Sequence, residues 1–376
     1  MRVQWFDCES MENDLSFMDA LLKKQIYCVS KDKFDELHPG LSNRLINSKL
    51  YKKIQNIYNL LDDIPKEDYK IIKSRIFKGQ SLKKGGFVSR AGLKLAEVDH
   101  TLSFIDSRRE EDIYLLYRCY ERNIKARGWG MSLMDLSNKK KDSTQSFDGC
   151  VWNLDSLRYL CSNNNRDYSL CVGEDKTGDI YSEANKQHLW SHVYQECSGV
   201  DLALADGAIE DDNHGYSENE CILHIPFFIH ELLLMLPAIR IGGSLFIKAR
   251  DCACESFWLI VYIVLKCFQS FTIIKPNTSR PFNSEFYLCF EDLRISHSNI
   301  YLDHVIDFLM EYRSHFEETT FKDSTQIVYS PLFFEMEGNE EFIHYIQQEE
   351  CYLWSNRISA LNDILEYSDE LYLLYI

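Results

Sequence analysis

An aspartate and a lysine with the potential for acid–base chemistry each follow a short, largely apolar run. The run 201–205 is followed by Asp206, and the run 242–247 is followed by Lys248. Runs of this length are typical of buried strands, and parallel strands bring the residues at their carboxyl ends to one edge of a sheet. We therefore expect Asp206 and Lys248 to meet at that edge, where the carboxylate would hold the lysine in place.

A glutamate and a second lysine could join this pair. Glu285 precedes the apolar run 286–290, so the strand predicted there begins with its charged residue. If this strand runs antiparallel to the other two, its beginning lies at the same edge as their ends. Lys94 belongs to the stretch 87–99, whose apolar residues recur at helical spacing. The four residues could therefore converge.

Strands and helices alternate along the middle of the chain. Further strands are predicted over 126–133 and 168–172, and helices over 112–123, 186–197, 229–239 and 256–268. This alternation predicts an α/β fold with a doubly wound, mostly parallel sheet that contains one antiparallel strand. We expect this domain to span residues 66–295, between a helical segment over 1–65 and a helical, acidic extension over 296–376.

The composition favours a protein without disulfides or a membrane span. The longest apolar run, 257–265, is too short to cross a bilayer, and no secretory leader is visible, so we expect a soluble protein. The 13 cysteines include no C-x-x-C pair, which argues against a zinc ribbon and suits a reducing compartment. Cys221 and His224 could pair as metal ligands, but no second pair follows. We interpret them as ordinary helix residues and predict no metal site.

The charge is unevenly distributed along the chain. A net charge of −17 is unfavourable for binding nucleic acid, because phosphate contacts need lysine and arginine on the binding face. Residues 65–94, however, contain nine lysines and arginines and only two acidic residues. This basic run is either a binding surface beside Lys94 or an ordinary solvated helix face.

Four motifs, taken in order, resemble those of a known enzyme family. They are Ser89-Arg90-Ala-Gly-Leu-Lys94, Ala205-Asp206-Gly207, Phe246-Ile-Lys248 and Ser279-Arg280-Pro-Phe-Asn283-Ser-Glu285. Their lysine, aspartate, lysine and glutamate resemble the catalytic tetrad of the FtsJ-like ribose 2′-O-methyltransferases. The closer likeness is to the eukaryotic cap-specific members of that family, whose patterns are similar to Gly128–Leu133, Thr177–Ile180, Lys275–Pro281 and Ser330–Phe342.

The resemblance implies a Rossmann-like fold and a role in mRNA capping. It implies methyl transfer from S-adenosylmethionine to the first transcribed nucleotide of capped mRNA, in the nucleus or, alternatively, the cytoplasm. The catalytic residues would be Lys94, Asp206, Lys248 and Glu285. The cofactor-binding residues would be Asp179, Ile180 and Asp206. The RNA-binding residues would be Asn283 together with Lys73 and Arg75 of the basic run. A free lysine is a poor base at neutral pH, so burial and the Lys94 charge would have to lower the pKa of Lys248.

One element of the family pattern is missing. In the family, the first strand ends in a glycine-rich loop of the type Asp-x-x-x-x-Pro-Gly-Gly-Phe, where glycine allows the backbone to approach the cofactor. At that place this chain has only 101–111, in which 104–106 could be a remnant of the strand. Either the gene model or splice form has lost a segment, or the protein is a degenerate member.

Two alternative functions stay open. If the loop is truly absent, the protein would be an inactive, methyltransferase-like protein that binds RNA. The stretch 88–94 also resembles FtsJ-like and TlyA-like enzymes of ribosomal RNA, so a ribosomal RNA 2′-O-methyltransferase is the other alternative. The likeness of the C-terminal part to the cap-specific enzymes speaks against that alternative.

Overall fold

A mixed β-sheet with helices packed against it forms the centre of the protein, which confirms the predicted α/β class. The computed structural model describes residues 1–8, 15–23, 25–30, 33, 36, 48–77, 90–103, 127–131, 133, 167–207, 220–250, 254–295, 300–318, 326–330 and 332–373. The helix predicted over 112–123 and the strand remnant over 104–106 lie outside these residues.

The predicted strands that carry Asp206, Lys248 and Glu285 correspond to β5, β6 and β8. The strands are β1 (Phe6–Asp7), β2 (Tyr27–Ser30), β3 (Arg127–Met131), β4 (Asp167–Cys171), β5 (Val200–Ala205), β6 (Ile239–Arg250), β7 (Phe268–Ile274), β8 (Glu285–Leu293) and β9 (Gln326–Tyr329). The helices are α1 (Leu15–Lys23), α2 (Ser48–Leu61), α3 (Lys66–Ile76), α4 (Arg90–Leu102), α5 (Glu183–Glu196), α6 (Glu220–Met235), α7 (Glu255–Leu265), α8 (Ile300–Glu318), α9 (Leu332–Gly338) and α10 (Glu340–Leu373).

Five strands form the main sheet, in the order β1-β7-β8-β6-β5. β5 and β6 are parallel, whereas β8 is antiparallel to both of its neighbours, β6 and β7. The antiparallel direction predicted for the Glu285 strand is thus confirmed. The sheet has a second antiparallel strand that the sequence did not predict, because β1 pairs antiparallel with β7.

A second, two-stranded sheet contains β3 and β4, which are parallel to each other. Within the described residues, neither strand pairs with the main sheet, and β5 forms an edge of that sheet. The segment 104–126, which precedes β3, is outside the described part of the chain.

Helix α7 is buried along almost its whole length beside the sheet. All of its residues from Ser256 to Leu265 are buried, which matches its almost wholly apolar sequence. The indole nitrogen of Trp258 donates a hydrogen bond of 2.9 Å to Glu350 of α10, so the one polar atom of this large side chain is satisfied. The helix ends before the predicted limit at 268, because Phe268 begins β7.

The predicted terminal segments are integral parts of the same structure. Residues 1–65 are not purely helical, since they contain β1, and β2, which pairs with β9 near the other end of the chain. One hydrophobic core includes Phe17, Trp258 and Trp354, which come from the three predicted segments. No helix in the described ranges is both long and apolar enough to cross a membrane.

Candidate active site

The register of the main sheet brings Asp206 and Lys248 together. Ala205 at the end of β5 lies opposite Ile247 of β6, so the next residues in the two strands are neighbours. The Lys248 ammonium donates to the backbone carbonyl of Asp206 at 2.8 Å and lies 3.0 Å from its carboxylate. Lys248 is 8% exposed, whereas the side chain of Asp206 is 32% exposed. The lysine is therefore held with its ammonium at the sheet edge.

Glu285 and Lys94 form a second ion pair at the same edge. Helix α4 directs Lys94 onto Glu285, the first residue of β8, and both side chains are buried. The hydroxyl of Ser279 donates to the same carboxylate at 2.9 Å. Burial alone would raise the pKa of Glu285, but the Lys94 ammonium and its hydrogen bond outweigh that effect and lower it to about 2. Glu285 is therefore ionised at any physiological pH.

Tyr287 connects the two ion pairs. Its hydroxyl lies 2.9 Å from Asp206 Oδ1 and 3.2 Å from Glu285 Oε1, and it accepts a hydrogen bond from Lys94 at 3.0 Å. The Phe246 ring stacks on it at 4.7 Å. Sequence reasoning missed Tyr287. The available signal was its position two residues after Glu285, which places both side chains on the same face of the strand.

A half-buried lysine, Lys275, holds the backbone at the start of β8. The ammonium of Lys275 donates to the backbone carbonyls of Asn283, at 3.0 Å, and of Glu285. Burial lowers the pKa of Lys275 to about 7, although the Glu285 charge raises it. Glu97 of α4 accepts hydrogen bonds from the backbone of Asn277 and Thr278, each at 2.9 Å. The loop before β8 is thus tied to the helix that carries Lys94.

A buried glutamate lies on the other side of Lys248. Glu231 of α6 accepts a hydrogen bond of 3.0 Å from the backbone nitrogen of Gly207. Burial raises the pKa of Glu231 to about 8, although Lys248 and this hydrogen bond lower it. Glu231, Gly207, Phe227 and Lys248 line a small pocket. Sequence reasoning missed Glu231, which stood out only as an acidic residue within an apolar helix.

Of the three residues predicted to bind the cofactor, Asp179 and Ile180 lie on a loop between β4 and α5, whereas Asp206 follows β5. Asn185, which is fully buried, donates to the Asp179 carbonyl at 3.0 Å and to the Asp175 carboxylate at 2.9 Å. It thereby fixes the loop that carries Asp179 and Ile180. The Tyr181 ring packs on His230 at 4.1 Å and on Phe227 at 6.3 Å, which puts this loop beside the Gly207 pocket.

The three residues predicted to bind RNA occupy different environments. Asn283 accepts hydrogen bonds from the Lys275 ammonium, which also binds the backbone carbonyl of Glu285. Partial burial lowers the pKa of Lys73, and the positive charges of Arg280 and Lys70 lower it further. Arg75 is exposed on the same helix, α3. The RNA-binding roles of all three residues stay predictions.

Comparison with known proteins defines the class of this site. Residues 132–292 match the FtsJ-like methyltransferase family. The matched region is similar to FtsJ-like methyltransferase domains, and it includes Asp206, Lys248 and Glu285. Lys94 lies outside the matched residues and reaches the site from α4.

Two curated relatives of this chain share one name. The chain is 23% identical over 356 residues to a cap-specific mRNA (nucleoside-2′-O-)-methyltransferase 1 from Drosophila melanogaster, covering 87% of this chain and 42% of that protein. It is 25% identical to the protein of the same name from Caenorhabditis elegans, covering 85% and 37%. The chain spans about two fifths of the length of these relatives. A relative from Caenorhabditis briggsae, 23% identical and covering 67% and 32%, is named an inactive form, 1B.

A solved structure of a ribosomal RNA methyltransferase from Plasmodium falciparum aligns over 55% of this chain and 98% of its own, at 19% identity. Its TM-score of 0.32 is too low to add to the family match.

Proposed function

We propose that this protein is an S-adenosylmethionine-dependent 2′-O-methyltransferase that modifies the first transcribed nucleotide of capped mRNA. One observation carries the proposal: Lys94, Asp206, Lys248 and Glu285, from four separate elements, form one hydrogen-bonded group through Tyr287. Isolated charges at strand ends are common, but a connected group at the carboxyl edge of an α/β sheet lies where ligands bind in this fold. The names of the relatives support the choice of substrate.

The two ion pairs have different roles in the proposed reaction. For methyl transfer, the ribose hydroxyl must be oriented and must lose its proton. Lys248 is the group best placed to do both, because its ammonium lies at the partly open side of the site, beside Asp206. Asp206 holds Lys248. Glu285 and Lys94, which are both buried, form a fixed acceptor and donor pair for the ribose.

The described residues fit part of the cofactor. S-adenosylmethionine supplies an electrophilic methyl group when it is bound. The loop fixed by Asn185 presents the Asp179 carboxylate as an acceptor for the adenine side, and the Gly207 pocket lies next to that loop and to Lys248. At Gly207 a side chain would collide with Phe227 and Glu231, which explains the glycine. The segment 104–111, which in sequence replaces the glycine-rich loop of the family, is outside the described residues.

We expect the chain as written to bind S-adenosylmethionine weakly or not at all. The segment 101–111 offers Arg108, Arg109, Glu110 and Glu111 where the family has glycines, and the two glutamates would repel the cofactor carboxylate. Lost backbone hydrogen bonds of about 1 kcal/mol each would weaken binding by roughly two orders of magnitude. Isothermal titration calorimetry measures this directly. The control is a chain with a glycine-rich segment inserted before Asp112, and low-micromolar binding by the original chain would contradict the prediction.

We also expect that replacing Lys73 and Arg75 together with alanine weakens binding of capped RNA. For each phosphate that the variant no longer touches, the slope of log affinity against log salt should become shallower by about 0.7 for a single strand. Fluorescence anisotropy at several salt concentrations measures both quantities. The matched control is the double replacement of Lys52 and Lys53, which are exposed on α2. If both double variants keep the original slope, Lys73 and Arg75 belong to an ordinary solvated helix face.

A second candidate is an RNA-binding protein that has lost methyl transfer. The absence of a glycine-rich sequence at 101–111 favours it, and one relative is named inactive. Resequencing of the transcript first confirms the chain. This candidate is then established if the protein binds capped RNA but neither binds the cofactor nor transfers a methyl group.

A nuclear location, with the cytoplasm as the alternative, is likewise our proposal, and imaging of a tagged full chain tests it.

A further inference from the structure

A cysteine and two histidines form a cluster of metal-ligand groups where the end of β4 packs against α5. Cys171 is the last residue of β4, and His188 and His192 lie one turn apart on α5. One ligand atom from each of the three side chains lies within 4.8 Å of the other two. Sulfur and imidazole nitrogen are the ligands that Zn²⁺ prefers. The cluster is separate from the ion pairs at the sheet edge.

The hydrogen bonds of the two histidine rings indicate which of their nitrogen atoms can bind a metal ion. The Cys171 sulfur lies within hydrogen-bond distance of Nδ1 of His188, at 3.2 Å. Nδ1 of His192 lies 2.8 Å from the backbone carbonyl of His188. Because a carbonyl only accepts, this nitrogen carries the proton, and Nε2 of His192 keeps its lone pair. A ring N–H bound to a backbone carbonyl is the arrangement that orients histidines for metal binding.

We propose that Cys171, His188 and His192 bind a zinc ion, with water as the fourth ligand. At zinc bond lengths of about 2.0–2.3 Å, tetrahedral ligand atoms lie roughly 3.3–3.6 Å apart. The sulfur and the His188 nitrogen already lie near that separation, and an upper limit of 4.8 Å for the rest leaves only small side-chain adjustments. Cys171 binds as the thiolate, and its proton passes to solvent.

The ion would connect β4 to α5 on both sides of the loop that carries Asp179. Cys171 immediately precedes this loop, and His188 follows Asn185, which holds the loop, by one helical turn. The ion is therefore a structural connection that reduces the freedom of the loop. This inference does not depend on the proposed methyl transfer, since it concerns only the folded chain and the metal.

The test uses the purified full chain after removal of metal with a chelator. Titration with Zn²⁺ alone should show one equivalent bound at this cluster and a rise in melting temperature. Co²⁺ should produce thiolate-to-cobalt absorption in the near ultraviolet. Cys171→Ser should abolish that absorption, and His192→Ala should weaken Zn²⁺ binding at least about tenfold. Cys351→Ser and His344→Ala, both on α10, are the matched controls and should change neither.

The proposal is overturned if the original chain binds no Zn²⁺, or if Cys171→Ser and His192→Ala bind it as tightly as the two controls do. If Cys171→Ser fails to fold, His192→Ala decides, because that residue lies on the solvent side of a helix and its truncation leaves the core intact. Methyl-transfer activity does not enter the result, so the outcome is independent of the proposed function.

Discussion

Replacing Lys248 with alanine is expected to lower the single-turnover rate of methyl transfer by roughly 10²–10⁴-fold, the range typical of a lost acid–base group. The same variant should keep its affinity for capped RNA within a few-fold, because Lys248 contacts Asp206 rather than a surface that could meet phosphate. The partner carboxylate is 32% exposed, so it can be solvated when the lysine is gone and the fold should survive. Rapid-quench measurement at saturating cofactor gives the rate.

The control for this experiment is an equally buried lysine elsewhere. Lys266, at 9% exposure, lies 3.8 Å from the centre of the Phe17 ring, away from the sheet edge. Lys266→Ala should change stability without a comparable loss of rate. If the chain binds the cofactor too weakly, both variants are made in the version with the inserted glycine-rich segment. A substantial residual rate for Lys248→Ala would remove Lys248 from the mechanism.

Replacing Glu285 with glutamine is expected to destabilise the fold by about 3 kcal/mol at neutral pH. A pKa lowered from 4.5 to about 2 corresponds to that much stabilisation by the ionised form. Because the folded-state pKa is the lower one, this contribution is complete above pH 4.5 and is lost as the pH falls toward 2. Urea unfolding of the original chain and the variant at several pH values should show their stabilities converging over that interval.

The matched control for Glu285 is an exposed ion pair. Glu67 and Lys70 lie 2.9 Å apart on α3, with side chains 80% and 67% exposed. Glu67→Gln should cost less than about 1 kcal/mol, because water screens exposed pairs. An equally small cost for Glu285→Gln would mean that Lys94 and Lys275 find other partners when the charge is removed, and that the buried group is not held by electrostatics.

The sheet edge was predictable from sequence because its residues follow regular patterns. The apolar runs 201–205 and 242–247 lie in the parallel strands β5 and β6, so Asp206 just after β5 and Lys248 near the end of β6 could be placed at one edge without tertiary information. Tyr287 and Glu231 could not, because their importance comes from what they face across the structure. Aromatic residues in strands and single acidic residues in helices are too common to indicate a site.

The short terminal strands were unpredictable for a different reason. β1 has two residues and β2 has four, which is too few for any periodic pattern. What stabilises β1 is packing of Phe6 on Phe342 and Tyr345 of α10, a contact between distant parts of the chain. The expected boundaries near 65 and 296 follow changes in composition, whereas the packing is continuous across them.

The pairing of β1 with β7 has a consequence for synthesis. Phe6 lies opposite Phe271, so roughly 265 residues must leave the ribosome before this pair can form. At about 5–20 residues per second, the first strand waits on the order of ten to fifty seconds. During that time Phe6 and the unpaired edge of the growing sheet are exposed to other nascent chains. We therefore expect the newborn protein to depend on chaperones far more than its finished, well-buried core would indicate.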